Sequence, residues 1–164
     1  ENDARALGRT ASGVRGINIE EDDEVVGMIT YDPTAEDAAA HSILVVSENG
    51  YGKRSDFDEY RKTNRGGKGV KTLQITDKTG PLVAMKNVTD ENDLMIINRS
   101  GLTIRMAVSD IRVAGRATQG VRLINIKEGD SIAAISAVNK SEEDAPVQPV
   151  EGGEEIQAPE QTNE

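Results

Sequence analysis

The chain has no cysteine, and His41 is its single histidine. Disulfide staples and thiolate metal sites are therefore excluded. Tyr31, Tyr51, Phe57 and Tyr60 are its only aromatic residues. Any core must be built from Ile, Val, Leu and Met, which is feasible in sheets because β-branched side chains pack well on a pleated surface. No apolar run exceeds four residues, whereas a membrane-crossing helix needs about 20. No basic region followed by an apolar stretch opens the chain, so no secretion signal is expected. The first residue is Glu1, which suggests a fragment or a processed chain. A length of 164 residues allows one ordinary domain or a few units of a repeat.

The formal net charge of −10 is unevenly spread. Residues 141–164 hold eight acids and no base. Between Gly50 and Arg122 the sign reverses, with 14 bases against 8 acids. A basic body attracts polyanions. The acidic tail carries Pro146, Pro149 and Pro159 and few large apolar residues, a composition expected to stay disordered. Tethered carboxylates can also compete with a polyanion for the basic body, or simply aid solubility.

Internal similarity is the strongest signal. Residues 8–19 read GRTASGVRGINI, residues 64–75 NRGGKGVKTLQI and residues 115–126 GRATQGVRLINI. The Gly-Val pairs fall at 13–14, 69–70 and 120–121, steps of 56 and 51. A second landmark keeps the register. Gly50 follows Ile43-Leu44-Val45-Val46, Gly101 follows Leu94-Met95-Ile96-Ile97, and each lies 15 positions before Arg65 or Arg116. The extra residues of the first period fall in 32–41 (DPTAEDAAAH), expected to be a surface loop or short helical turn.

Each period reads as short strands. Val70, Thr72 or Leu73, and Ile75 approximate alternation, as do Val121, Leu123 and Ile126. Leu82–Met85 and Leu94–Ile97 are continuous apolar runs, predicting strands buried on both faces. Asn49-Gly50 and Ser100-Gly101 predict hairpin turns. Lys78–Pro81 and Glu128–Asp130 predict further turns. The expected class is all-β, with propeller-like blades of about four strands.

In Thr63-Asn64-Arg65-Gly66-Gly67-Lys68-Gly69-Val70, three glycines in four positions leave the backbone open to a bulky anion, beside two cations. Arg can fork onto phosphate oxygens. The matching loops keep Arg9 and Arg116. Repetition would set cationic loops along one rim, which suits duplex DNA. One such loop alone is weak evidence, since glycine-rich turns with a base are common in β proteins.

These residues also carry a resemblance. The stretches are Arg5–Arg9 with Gly13–Ile17, Asn49–Arg54, and Val113–Arg116 with Thr118–Val121. With them, residues 1–140 resemble the last part of the C-terminal domain of bacterial DNA gyrase A, and the acidic tail fits that protein too. The resemblance implies a β-pinwheel, a disc of four-stranded blades that exchange strands between neighbours. It implies a basic rim that bends duplex DNA in support of ATP-dependent negative supercoiling. The family's signature box, Gln-Arg-Arg-Gly-Gly-Lys-Gly, belongs to the first blade. Residues 63–69 match it from Arg65 to Gly69 and depart at Thr63 and Asn64. They read as a box-like loop of a later blade.

On that reading residues 1–19 end one blade, 25–75 and 82–126 give two more, 131–138 closes the last, and 141–164 is the tail. The implied partners are double-stranded DNA, the rest of gyrase A, and gyrase B in a heterotetramer. ATP and magnesium would sit on gyrase B, with no cofactor or metal in this chain. The location would be cytoplasmic, on the chromosome, without membrane contact. Catalytic residues would lie elsewhere, and Tyr31, Tyr51 and Tyr60 read as packing or rim residues.

Candidate phosphate contacts are chosen for recurrence beside turns and strand starts. They are Arg9, Arg15, Lys53, Arg54, Arg61 and Lys62, then Arg65, Gly66, Gly67, Lys68 and Lys71, then Arg105, Arg112, Arg116 and Arg122. Two rivals stand beside this reading: the equivalent domain of topoisomerase IV, which would select DNA geometry, and a propeller-like platform gripping an acidic protein. His41 reads as a solvated loop residue and Asp90–Asp93 as a polar turn, because the EF-hand spacing is absent. Met28, Met85, Met95 and Met106 read as core fillers.

Overall fold

The structure, a computed structural model, describes residues 5–140. The acidic segment from Ser141 onward lies outside the described residues, as do residues 1–4. The described chain is all-β. Its seven strands are β1 (Ser42–Ser47), β2 (Tyr51–Asp56), β3 (Leu82–Val88), β4 (Asn92–Asn98), β5 (Thr103–Ala107), β6 (Val121–Arg122) and β7 (Ile132–Asn139). Only short 3-10 turns interrupt them, at Ala38–Ala40, Phe57–Glu59 and Val108–Asp110.

The strands form two antiparallel sheets, in the orders β3-β1-β2-β6 and β5-β4-β7. The sequence repeat accounts for both orders. A shift of 51 positions carries the β1–β2 hairpin onto the β4–β5 hairpin and the turn at Phe57–Glu59 onto that at Val108–Asp110. In each sheet the hairpin's first strand is flanked by a strand from the following repeat: β3 beside β1, β7 beside β4. Even the irregularities repeat. The register shifts between Val46 and Ser47 in one sheet and between Ile97 and Asn98 in the other, 51 residues on. This strand exchange defines a β-pinwheel arrangement.

The hairpins turn at Gly50 and Gly101, at φ of 80° and 87°, a region that disfavours any residue with a Cβ. The Gly-Val glycines share this conformation: Gly13, Gly69 and Gly120 have φ of 78°, 76° and 80°. The sequence landmark is thus a backbone landmark.

Leu44, Val46, Leu94 and Ile96 are buried in one cluster with Val88, Val108, Ile111 and Ile132, spanning both sheets. Ile43, Val45 and Leu73 form a second cluster, packed by Tyr60, Phe57 and Ile29. Phe57 stacks on Tyr31 at a centroid distance of 3.7 Å.

Several expectations need correction. Of the apolar runs, only Ile43–Val46 is buried on both faces. Leu82–Met85 is only partly buried, because β3 is the edge of its sheet, and Ile97 in β4 is 38% exposed. The alternating stretch 70–75 forms no strand, and of 121–126 only Val121–Arg122 does; 14–19 and 25–30 form none either. A strand needs a partner for its backbone groups, and no strand of either sheet pairs with 14–19, 25–30 or 70–75. Met28 is 84% exposed and fills no core. His41 is more than a solvated residue: its ring nitrogens lie 2.9 Å from Asn87 Oδ1 and 3.2 Å from Asp37 Oδ2, tying the 32–41 loop to β3. Asp90 and Asp93 are not merely turn residues, since each pairs with an arginine.

Candidate nucleic-acid interface

Consecutive cationic loops are joined by main-chain hydrogen bonds that repeat. Asn18 N–H donates to Gly67 O at 2.9 Å, and Gln74 N–H donates to Thr118 O at 3.1 Å. The two bonds link equivalent positions of successive repeats, 18 with 74 and 67 with 118. Gly66 N–H adds a bond to Gly16 O at 2.7 Å, and Arg116 Nη1 donates to Lys71 O at 2.9 Å. Arg15 thus lies beside the 65–68 loop, and Lys71 beside the 116–118 loop. A side-chain motif recurs as well. Arg15 Nη1 donates to Asn18 Oδ1, and Arg122 Nη1 to Asn125 Oδ1.

Arg9, Arg15, Arg61, Lys62, Arg65, Gly67, Lys68, Lys71, Arg112 and Arg122 are exposed, while Gly66 and Arg116 are half-buried. Gly66 is committed to Gly16 through its N–H, so the glycine-rich loop is braced against its neighbour rather than open along its whole length. Arg122 is pinned: Nε and Nη2 donate to the Tyr51 hydroxyl at 3.2 and 2.8 Å. Those hydrogen bonds hold the Tyr51 phenol below the usual tyrosine range. Lys78, not singled out in the sequence, also stands 5.3 Å from the Tyr51 ring centroid. Its signal was present in the turn that precedes β3. Arg105 sits apart on β5, its Nε donating to Asp93 at 2.7 Å.

Lys53 and Arg54 correct the sequence expectation. They are 1% and 6% exposed, because β2 has β1 along one edge and β6 with the 111–115 segment along the other, Arg54 bridging Val113. Lys53 Nζ donates to Gly115 O at 2.6 Å and Ser55 Oγ at 3.1 Å. Arg54 Nε donates to Ile111 O at 2.8 Å, and Arg54 also pairs with Asp90. Neither presents its charge on the surface. Burial lowers the Lys53 ammonium from 10.5 to about 8, with Glu59 opposing the shift and Arg116 adding to it. Among the described residues no group of His, Asp or Glu side chains is arranged to hold a metal ion. No helix among them is long and apolar enough to cross a membrane.

An all-β array that exchanges strands and repeats a cationic loop defines a class, the β-pinwheel. Comparison with known proteins specifies it. The family model for the DNA gyrase C-terminal domain, a beta-propeller, matches residues 1–32, 41–89 and 92–139. The chain belongs to that family. It is 47% identical over 143 residues to the DNA gyrase A protein of Staphylococcus epidermidis, covering 87% of this chain. It is 46% identical over 144 residues to the same protein of Staphylococcus aureus, covering 88% of this chain. The chain spans only 16% of the length of each relative. In fold it matches a DNA gyrase A C-terminal domain at a TM-score of 0.71 and 24% identity, over 82% of this chain and 44% of that one. It matches the C-terminal domain of a DNA topoisomerase IV at 0.71 and 22% identity, over 84% and 41%.

Proposed function

We propose that this chain binds duplex DNA without sequence preference along its exposed cationic loops, as the later blades of a gyrase A wrapping domain. One observation carries the reading: the repeated main-chain bond, Asn18 to Gly67 and Gln74 to Thr118, which sets successive cationic loops in a constant relation. A polyanion with regular phosphate spacing matches a regular row of cations. The exposed candidates, from Arg9 and Arg15 through Lys68 and Lys71 to Arg112, supply the phosphate contacts together with the half-buried Arg116. Residues 1–140 form the blades, and the acidic residues from Ser141 onward form a separate tail.

The mechanism is electrostatic. Bending a site of 20–30 base pairs by 40–90° costs about 1–6 kcal/mol. No single arginine offsets that, so several contacts must act together. Wrapped DNA brings a nearby segment of the same molecule to the enzyme, whose strand passage and ATP hydrolysis belong to the rest of gyrase A and to gyrase B with its magnesium. This chain's part in the type II topoisomerase is therefore binding and shaping, on the chromosome in the cytoplasm.

The equal fold match to a topoisomerase IV domain keeps a second reading in play, selection of DNA geometry with little wrapping. The test is duplex retention against salt, followed by incubation with relaxed circular DNA and a nicking-closing enzyme. Affinity should fall by about 0.9 log units per log unit of salt for each phosphate neutralised. A flat salt response refutes the mechanism. Trapped writhe supports wrapping, while retention without writhe supports the topoisomerase IV role. Failure to retain DNA, with an acidic protein bound instead, supports an interaction platform.

A further inference from the structure

We infer that Lys53, with its neighbours Arg54 and Ser55, is a positioning residue that holds the 111–115 segment along β2 and fixes where Arg112 and Arg116 meet a DNA phosphate. The inference rests on the DNA-binding reading above.

Three consecutive residues of β2 bond four residues of the 111–115 segment that runs beside them. Arg54 Nε donates to Ile111 O at 2.8 Å, and Arg54 N–H donates to Arg112 O at 3.4 Å. Ser55 Oγ donates to Ala114 O at 2.7 Å, and Ala114 N–H returns a bond to Arg54 O at 2.8 Å. Lys53 Nζ donates to Gly115 O at 2.6 Å. Every anchor on the segment is main-chain, so the grip sets the path of the segment and leaves the Arg112 side chain outward while Ile111 points into the core. Arg112 is exposed and its guanidinium makes no hydrogen bond or ion pair among the described residues. Arg116 leaves the same segment directly after the Lys53 anchor.

A buried ammonium is a costly way to hold a loop, since a hydroxyl or amide could donate there without desolvating a charge. Its position explains the choice. Lys53 floors a cavity of about 110 Å3 whose walls include Arg112, Thr118 and Gly120. A charge there adds to the potential that a phosphate meets at the mouth. The charged groups around it are Glu59 from the 3-10 turn, Arg116 just after the 111–115 segment and Arg112 on the cavity wall. With the ammonium lowered to about 8 by burial, a phosphate arriving nearby favours the protonated form. Duplex binding therefore takes up a proton, and affinity falls as pH rises through the region near 8.

The test uses the full-length polypeptide and its Lys53→Met variant, with a short duplex as the probe. Amide hydrogen exchange at Ala114 and Thr118 should quicken roughly tenfold in the variant, reporting a loosened segment. Duplex affinity should fall about three- to tenfold, with the salt slope reduced by about 1 to 2. The variant's affinity should also lose its fall near pH 8. In an Arg112→Ala and Arg116→Ala background, adding Lys53→Met should change affinity less than about twofold, because without those arginines no phosphate is held at the mouth for the Lys53 charge to meet. Full additivity in that cycle, unchanged exchange, or an undiminished pH response in Lys53→Met each overturns the proposal. Should Lys53→Met fail to fold, Ser55→Ala removes one of the two bonds at Ala114 with little loss of volume. It must then quicken exchange and weaken binding in the same direction, or the proposal fails. A wild-type chain that folds but never retains duplex refutes the DNA reading separately. Exchange would then score the grip as a folding contact only.

Discussion

Replacing Gly120 by alanine should be among the most damaging single-methyl changes available in this chain, for two separable reasons. Gly120 has φ of +80°, and an L side chain in the left-handed region costs about 1–2 kcal/mol. The new Cβ would also stand 2.5 Å from Gly52 O and 2.9 Å from Gly52 C. Those are main-chain atoms of β2, the strand to which β6 is paired through Gly52 and Val121. They cannot swing aside, so overpacking adds about 1–3 kcal/mol. The expected loss is about 2–5 kcal/mol.

Two companion variants separate the parts. Gly101 has φ of +87° with nothing within 4 Å of a built Cβ, so Gly101→Ala should show the backbone cost alone. Gly52 has no positive φ, but its Cβ would meet Leu123 Cδ1 at 2.5 Å and Val45 O at 2.7 Å, so Gly52→Ala should show the contact cost alone. Alanine also stiffens the unfolded chain by a similar amount at each site, which cancels in the comparison. Urea unfolding followed by circular dichroism gives the three losses from midpoints at a common slope. If Gly120→Ala loses no more than Gly101→Ala, the close approach of β6 to β2 does not hold the two repeats together.

Two further outcomes are expected of the same chain. Leu44→Ala should cost about 2–5 kcal/mol because Leu44 is fully buried between the sheets, whereas Ile97→Ala should cost under about 1 kcal/mol since Ile97 is 38% exposed; equal losses in urea unfolding would contradict the assigned core. Lys53 has a folded-state value of about 8 against an ordinary 10.5, so between those limits the unfolded chain binds more protons and stability should rise with pH. Below about pH 8 the burial penalty is fully present. Unfolding free energies measured from about pH 7 to 10.5 should rise in the wild type relative to Lys53→Met, and a parallel pair of curves would refute the burial.

Much of this was legible in the sequence because the repeat is written in glycines and short apolar runs. Gly50 and Gly101 announced two hairpins, and the Gly-Val pairs marked three backbone positions of the same conformation. What the sequence concealed was which strand lies beside which. The run Leu82–Met85 is as apolar as Ile43–Val46, yet one is an edge and the other is inner, and only the exchange of strands between repeats decides that. The same ignorance misplaced two cations. Alternation along β2 sends one of Lys53 and Arg54 outward in a sheet with a solvated face. Here the 111–115 segment runs along the edge of β2, and its carbonyls take the side-chain donors of both residues, so both charges are interior.

The exchange of strands links the fold to its cationic loops. A propeller blade made from one contiguous segment could tilt without moving the loops of the next. In this chain β6 of a later repeat completes the sheet of the β1–β2 hairpin, and the segment just before β6 carries Arg112 and Arg116. The loop of one repeat is therefore anchored on the hairpin of another, and the bonds between loops recur at the repeat spacing. Loops held this way keep their separation when a stiff polyanion pulls on them. A duplex resists bending with a persistence length of about 150 base pairs, so a surface of independently mobile loops would straighten with it. On the proposed wrapping role, rigid spacing would make the DNA yield instead. Loosening a single anchor should accordingly reduce retained curvature in circular DNA more than it reduces affinity for a short straight duplex. A variant with equal losses in both would show that the loops act as separate contacts rather than as one curved track.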